Sequence, residues 1–159
     1  MKTTSTILGI SPGTRLTGLA LLRDGELVDW KVKSFKGHWT TSKLKDILYC
    51  IQTYIKKNEV ISVVIKKPNV FRSSTGLEQM ISELRILLER MGVPMILLSL
   101  RTMKAQYSTN KGFTKAQMLK EAVQPFPELY TEFNKEVKSK NGYYVRMFEA
   151  FILAKWKTN

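Results

Sequence analysis

Apolar residues recur along this chain in two rhythms, one close to every second position and one close to every 3.6. Thr6-Ile7-Leu8-Gly9-Ile10 is a short apolar run stopped by Ser11-Pro12-Gly13, and it reads as a buried strand. Residues 17–23 (TGLALLR) read as a second strand. Asp24-Gly25-Glu26 is a turn signal, and residues 27–35 (LVDWKVKSF) alternate well enough for a third strand, antiparallel to the second. Leu44, Ile47, Leu48, Ile51 and Ile55 then fall at helical spacing, with Thr41 or Ser42 as cap. Residues 60–65 (VISVVI) form a β-branched run, which predicts a strand buried on both faces. Residues 67–75 carry Pro, Asn and two Ser and read as a loop. Leu77, Met80, Ile81, Leu84, Leu87, Leu88 and Met91 mark an amphipathic helix closed by Gly92, and residues 93–98 a fifth strand.

Farther on the rhythm is helical but broken. Thr114 and Gln117 form a capping-box pair ahead of Met118, Leu119, Ala122 and Val123, and Pro125 and Pro127 end that helix. Residues 125–142 read as an insertion or an irregular helical segment, because they are charged and weakly periodic. Residues 143–157 predict a final helix. Three strands in hairpin order followed by strand–helix–strand alternation argue for an α/β fold, with a mixed sheet flanked by helices. A chain of 159 residues suits one such domain over 1–159.

Composition narrows the class. Apolar residues are 43% and charged residues 25%, which excludes a disordered chain or a collagen-like repeat. No apolar run is long enough to cross a membrane, and Met1-Lys2-Thr3-Thr4 does not open a signal peptide. The single Cys50 reads as a buried small apolar residue, and a cytoplasmic location fits. Charge changes the picture most. Lys plus Arg number 26 against 13 Asp plus Glu, a net of +13, with +7 in residues 1–79 and +6 in residues 80–159. A domain this basic along its whole length attracts polyanions, with nucleic acid first and an anionic membrane surface second.

The run Gly9-Ile10-Ser11-Pro12-Gly13-Thr14-Arg15-Leu16-Thr17-Gly18 resembles the first motif of RuvC-type Holliday junction resolvases, G-I-D-P-G-S/T-x-x-T-G. Val63-Val64-Ile65-Lys66-Lys67-Pro68 resembles the strand that carries that family's glutamate, and Gly92-Val93-Pro94 the opening of its fifth strand. Lys111-Gly112-Phe113-Thr114-Lys115-Ala116-Gln117-Met118 resembles its basic loop before a helix. Residues 147–154 (MFEAFILA) resemble its last helix, D-x-A-D-A-L-x-x-A. The resemblance implies a ribonuclease H-like fold: a five-stranded mixed sheet, its first three strands antiparallel, flanked by helices. It also implies a homodimer.

The resemblance further implies phosphodiester hydrolysis by two divalent metals on about four carboxylates. Carried over residue by residue, the acidic positions fall on Ser11, Lys66, Arg146 and Glu149. Four carboxylates carry −4, whereas these four residues carry +1. A lysine ammonium about 4 Å from a divalent ion is repelled by roughly 8 kcal/mol at an effective dielectric of about 20. The expectation is therefore that no metal site and no other cofactor remain, that these positions are not catalytic, and that Lys66 or Arg146 pairs with Glu149. The reading favours a protein that binds branched or duplex DNA without cutting it. The candidate contacts are Arg15, Lys66, Lys67, Phe71, Arg72, Ser73, Arg101, Lys104, Lys111, Lys115 and Arg146. An aromatic between basic and hydroxyl residues, as at Phe71, suits base stacking beside phosphate contacts.

Three alternatives stay open at this point. One is an active nuclease rebuilt on Glu149, Glu78 or Glu83 with Lys66 acting on phosphate. Another is a sugar-kinase or actin-like ATPase, which shares a G-I-D-x-G-T opening. The last is a scaffold for protein contacts. His38 stands without ligand-spaced partners and reads as a surface or turn residue.

Overall fold

The computed structural model describes residues 4–69, 71 and 73–158. Five strands, β1 (Thr6–Ser11), β2 (Leu16–Arg23), β3 (Glu26–Ser34), β4 (Ser62–Lys66) and β5 (Met95–Leu98), form one sheet in the order β3-β2-β1-β4-β5. β1 pairs antiparallel with β2, and β2 with β3. β1–β4 and β4–β5 are parallel. The helices are α1 (Thr41–Lys57), α2 (Thr75–Met91), α3 (Leu100–Ala105), α4 (Lys115–Val123), α5 (Tyr130–Ser139) and α6 (Val145–Thr158). This is the mixed α/β sheet expected from the pattern. No helix among the described residues is long and apolar enough to cross a membrane.

Strand alternation sorts the core into two halves. Leu8 and Ile10 of β1, Leu19 and Leu21 of β2, and Val63 and Ile65 of β4 meet α1 and α2 on one face. Ile7, Ala20, Leu22 and Val64 meet α6 and α4 on the other. The central strands are covered on both sides, which is why they read as near-continuous apolar runs. β3 lies at an edge and is half-buried, so its apolar and polar positions alternate.

The caps show where local chemistry acted. Thr40, not Thr41 or Ser42, caps α1, its hydroxyl accepting from the Lys43 amide. Ser74 caps α2 in the same way, and Gly92 ends it in the left-handed region at φ 70°. The capping box of Thr114 and Gln117 is complete in α4. β5 starts only at Met95, two residues later than the apolar run suggests.

Residues 125–142 are regular rather than irregular over most of their length: a 3-10 turn at Pro127–Leu129 leads directly into α5. α5 has no fully buried residue, which is why its sequence lacks a clear apolar stripe. It docks through individual contacts instead. Phe133 packs edge-on against Phe148, with ring centroids 5.8 Å apart, and Glu132 accepts from the Trp30 indole at 3.3 Å. Glu136 accepts from the Gly142 and Tyr144 amides at 3.0 and 2.7 Å. Those amides precede α6, so Glu136 caps it from a neighbouring helix and sets a carboxylate at the positive end of its dipole. Glu136→Ala is expected to cost about 1–2 kcal/mol in urea unfolding and to speed amide exchange at residues 144–147. Unchanged exchange there would show that α6 is held by other contacts.

Candidate nucleic-acid interface

The C-terminal ends of the parallel strands β1 and β4 lie side by side, with Ile10 paired to Ile65. The next residues are Ser11 and Lys66. Each is two positions beyond a residue on the α6 face, Gly9 and Val64, so both side chains turn towards α6. The ends of parallel strands are where open α/β sheets commonly place ligands. α6 brings Arg146 and Glu149, three residues apart, over the same spot.

Glu149 is the centre of the cluster, with only 1% of its side chain exposed. Its Oε1 accepts from the Ser11 hydroxyl at 2.9 Å. Its Oε2 accepts from Lys66 Nζ and lies 3.0 Å from Lys115 Nζ. Lys66 is 20% exposed and Lys115 37%. Burial works to raise the Glu149 carboxyl, but the two ammoniums outweigh it and hold the group below the ordinary carboxylate range. Burial lowers the Lys66 ammonium; Glu149 opposes this, while Lys115 and Arg146 add to it. One carboxylate among three cations leaves the cluster at +2.

The expected pairing of Lys66 or Arg146 with Glu149 is made by Lys66; Arg146 Nη1 donates instead to the Pro12 carbonyl at 2.8 Å. Lys115, read from sequence as a candidate DNA contact in the basic loop before a helix, also reaches the centre. Its place is costly locally, because a cation in the first turn opposes the helix dipole of α4 by about 0.3–1 kcal/mol. The pairing with Glu149 offsets that cost. The only sequence signal for Lys115 was the basic loop before α4; nothing in its spacing pointed to Glu149.

The rest of the first motif is architectural. Thr17 is buried, and its hydroxyl donates to the Gly13 carbonyl at 2.9 Å and accepts from the Gly13 amide at 3.4 Å, closing the β1–β2 turn. Gly9 and Gly18 let the α6 backbone touch the sheet. A Cβ would lie 1.9 Å from the Ala150 carbonyl oxygen at Gly9, and 2.0 Å from the Arg146 carbonyl oxygen at Gly18.

The other candidates are dispersed. Lys67 is exposed and continues the β4–β5 pairing through its amide, which donates to the Leu98 carbonyl at 2.7 Å. Phe71 is 95% exposed, and its amide donates to the Asn69 side chain at 2.9 Å. Ser73 precedes the α2 cap, and its buried hydroxyl oxygen has no hydrogen-bond partner among the described residues. Arg72 lies outside the described residues. Arg101 and Lys104 lie on α3, and Lys111 lies in the loop before α4. Arg15 is exposed in the β1–β2 turn beside Arg146 and does not contact Glu149. Glu78 and Glu83 ride on α2, which packs on the opposite face of the sheet from α6, so they do not join Glu149.

No family model matches the chain, and no curated protein matches it in sequence. Solved structures do match in shape. T. thermophilus RuvC in complex with a Holliday junction substrate superposes at a TM-score of 0.66, with 13% identity over 95% of this chain and 90% of that one. The chain has a RuvC-type resolvase fold. The yeast mitochondrial Holliday junction resolvase matches at 0.68, with 16% identity over 99% of this chain and 79% of that one. The Fowlpox virus resolvase, in complex with Holliday junction DNA, matches at 0.58, with 13% identity over 96% of each. The ribonuclease H-like sheet expected from the motifs is thus the one observed.

The RuvC-type fold implies a pair of divalent ions at this position, and the donor set here does not fit them. Hard cations require several anionic oxygens. The centre offers one carboxylate, whose oxygens already take two ammoniums and a hydroxyl. Among the described residues, no group of three or more His, Cys, Asp or Glu could hold a metal ion.

Proposed function

We propose that this RuvC-like protein binds branched or duplex nucleic acid, DNA in particular, without cleaving it. One observation carries the reading. At the strand ends where the fold gathers a ligand site, a single buried carboxylate is matched by Lys66 and Lys115, with Arg146 beside them. Such a centre attracts a phosphodiester with no metal to bridge the repulsion between carboxylates and backbone. The net charge of +13 supports this, as does the capture of Holliday junctions by two proteins of the same fold. The solvent-facing ring of Phe71 supports a contact to an unpaired or splayed base. The reading includes a homodimer, which sedimentation equilibrium of the free protein tests.

The direct test is an electrophoretic shift with labelled four-way junction and duplex DNA, in Mg²⁺, in Mn²⁺ and in chelator. The expected result is an equal shift in all three and intact strands. Binding should fall with salt with a log–log slope of about −0.9 per phosphate contacted. Metal-dependent scission would establish a rebuilt nuclease instead. Failure to bind any DNA or RNA at low salt would leave the scaffold. Phe71→Ala is expected to weaken junction binding by about 1–3 kcal/mol and duplex binding much less. An equal loss on both substrates would count against stacking.

A further inference from the structure

A second basic feature adjoins the Glu149 centre and shares Arg146 with it. The β1–β2 turn and the segment that follows β3 enclose an open cleft of about 820 Å³. Its walls carry Thr14, Arg15, Lys36, His38 and Arg146, and among the described residues that line it there is no carboxylate. The walls rest on fixed backbone. The Phe35 amide donates to the Arg15 carbonyl at 2.8 Å, tying the two segments together, and Lys43 Nζ donates to the Gly37 carbonyl at 2.9 Å, anchoring the far wall to α1.

Arg146 is the most constrained of the cations. Its guanidinium lies close against Gly13, where a Cβ would come within 2.8 Å of Cζ and Nε. Among the described residues it makes one hydrogen bond, to the Pro12 carbonyl. A guanidinium has five N–H donors in a planar fork, so most of them remain for a ligand, and that fork matches two phosphate oxygens. Arg15 and Lys36, both exposed, add charge from the two adjoining segments.

We infer that this cleft binds a phosphate group of a nucleic-acid backbone, held by Arg146 at the base and by Arg15 and Lys36 at the sides. The footprint on the strand thereby extends past the Glu149 centre towards the β3 edge. The assignment to a strand rests on the function proposed above; the phosphate chemistry of the cleft does not.

Two measurements on the full chain separate these layers. In the first, inorganic pyrophosphate is titrated into ¹⁵N-labelled protein. Saturable shifts are expected at the amides of residues 14–16 and 36–38, and the double variant Arg15→Gln/Lys36→Gln should abolish them. In the second, the salt dependence of duplex binding is compared between wild type and the same variant. For every phosphate that the variant no longer neutralises, the log–log slope should become shallower by about 1, whatever the DNA sequence. No pyrophosphate response at these amides would overturn the cleft. So would DNA binding with equal slopes in the two proteins. A pyrophosphate response in wild-type protein that binds no nucleic acid would sink the proposed function and keep the cleft as a site for a free phosphate compound.

Discussion

Glu149→Gln is expected to lower the unfolding free energy by about 3–5 kcal/mol at neutral pH, the usual cost of removing one partner from a buried ion pair. Glutamine keeps the volume and can still accept from Ser11, so the loss isolates charge. Lys66 is left in a mostly buried position facing Lys115 and Arg146 with no anion. Lys115→Met should cost far less, at most about 1 kcal/mol, because its head is more than a third exposed and screened by water. A double variant, Glu149→Gln with Lys66→Met, should recover much of the loss, since an apolar replacement of a buried pair is often neutral. Urea denaturation of the four proteins checks this, and equal midpoints for wild type and Glu149→Gln would remove the electrostatic account.

The pH dependence has a definite sign. The Glu149 carboxyl is held below its ordinary value near 4.5. The unfolded chain therefore takes up that proton first as pH falls. The stability from this group is complete above about pH 4.5 and is lost as pH drops through the folded value. Lys66 is held below its ordinary 10.5, so its unfolded form binds the proton more readily. Its contribution makes stability rise with pH between the lowered folded value and 10.5. Glu149→Gln should flatten the acid limb of the urea midpoint against pH. An acid limb of the same depth in both proteins would mean that other carboxylates carry it.

The second large effect is steric. Gly9→Ala puts a methyl 1.9 Å from the Ala150 carbonyl oxygen and 2.9 Å from the Ala154 amide nitrogen. Both are backbone atoms of α6, so no rotamer change relieves the clash and the helix must move bodily. The expected cost is at or above the top of the overpacking range, about 3 kcal/mol. Displacing α6 also displaces Glu149 from Lys66, so DNA binding should change with stability. Gly112→Ala is the control: its nearest neighbour is the Asn110 side-chain oxygen at 3.8 Å, and a change within about 0.5 kcal/mol is expected. Native-like urea midpoints and near-UV dichroism for Gly9→Ala would show that α6 is not in contact with β1.

Much of the fold was legible because burial is written into local period. Leu8, Ile10, Val63 and Ile65 alternate with Ile7, Gly9 and Val64, and each set has its own cover of helices. Ser11, Lys66 and Glu149, which the resemblance placed at one centre, do meet there: the Ser11 hydroxyl and the Lys66 ammonium both donate to the Glu149 carboxylate. α5 was not legible: Phe133, Glu132 and Glu136 each hold it by separate, single side chains, and no stripe repeats. The glycines of the motifs look alike in sequence, yet Gly9 is pinned by a helix and a side chain at Gly112 would meet only an ordinary contact with Asn110.

The sequence by itself determined the strands, the helices carrying apolar stripes, the two-faced sheet and the net charge, since each follows from neighbouring residues or a count. Tertiary structure alone decided which cations share Glu149. Lys115 arrives from another helix, and Arg146, one turn from Glu149, turns away to Pro12. It also decided that Lys36 and His38 line the same cleft as Arg15 and Arg146. Chain period reports which face a residue takes; ion pairing depends on distance through space, and long flexible side chains reach partners that no spacing encodes.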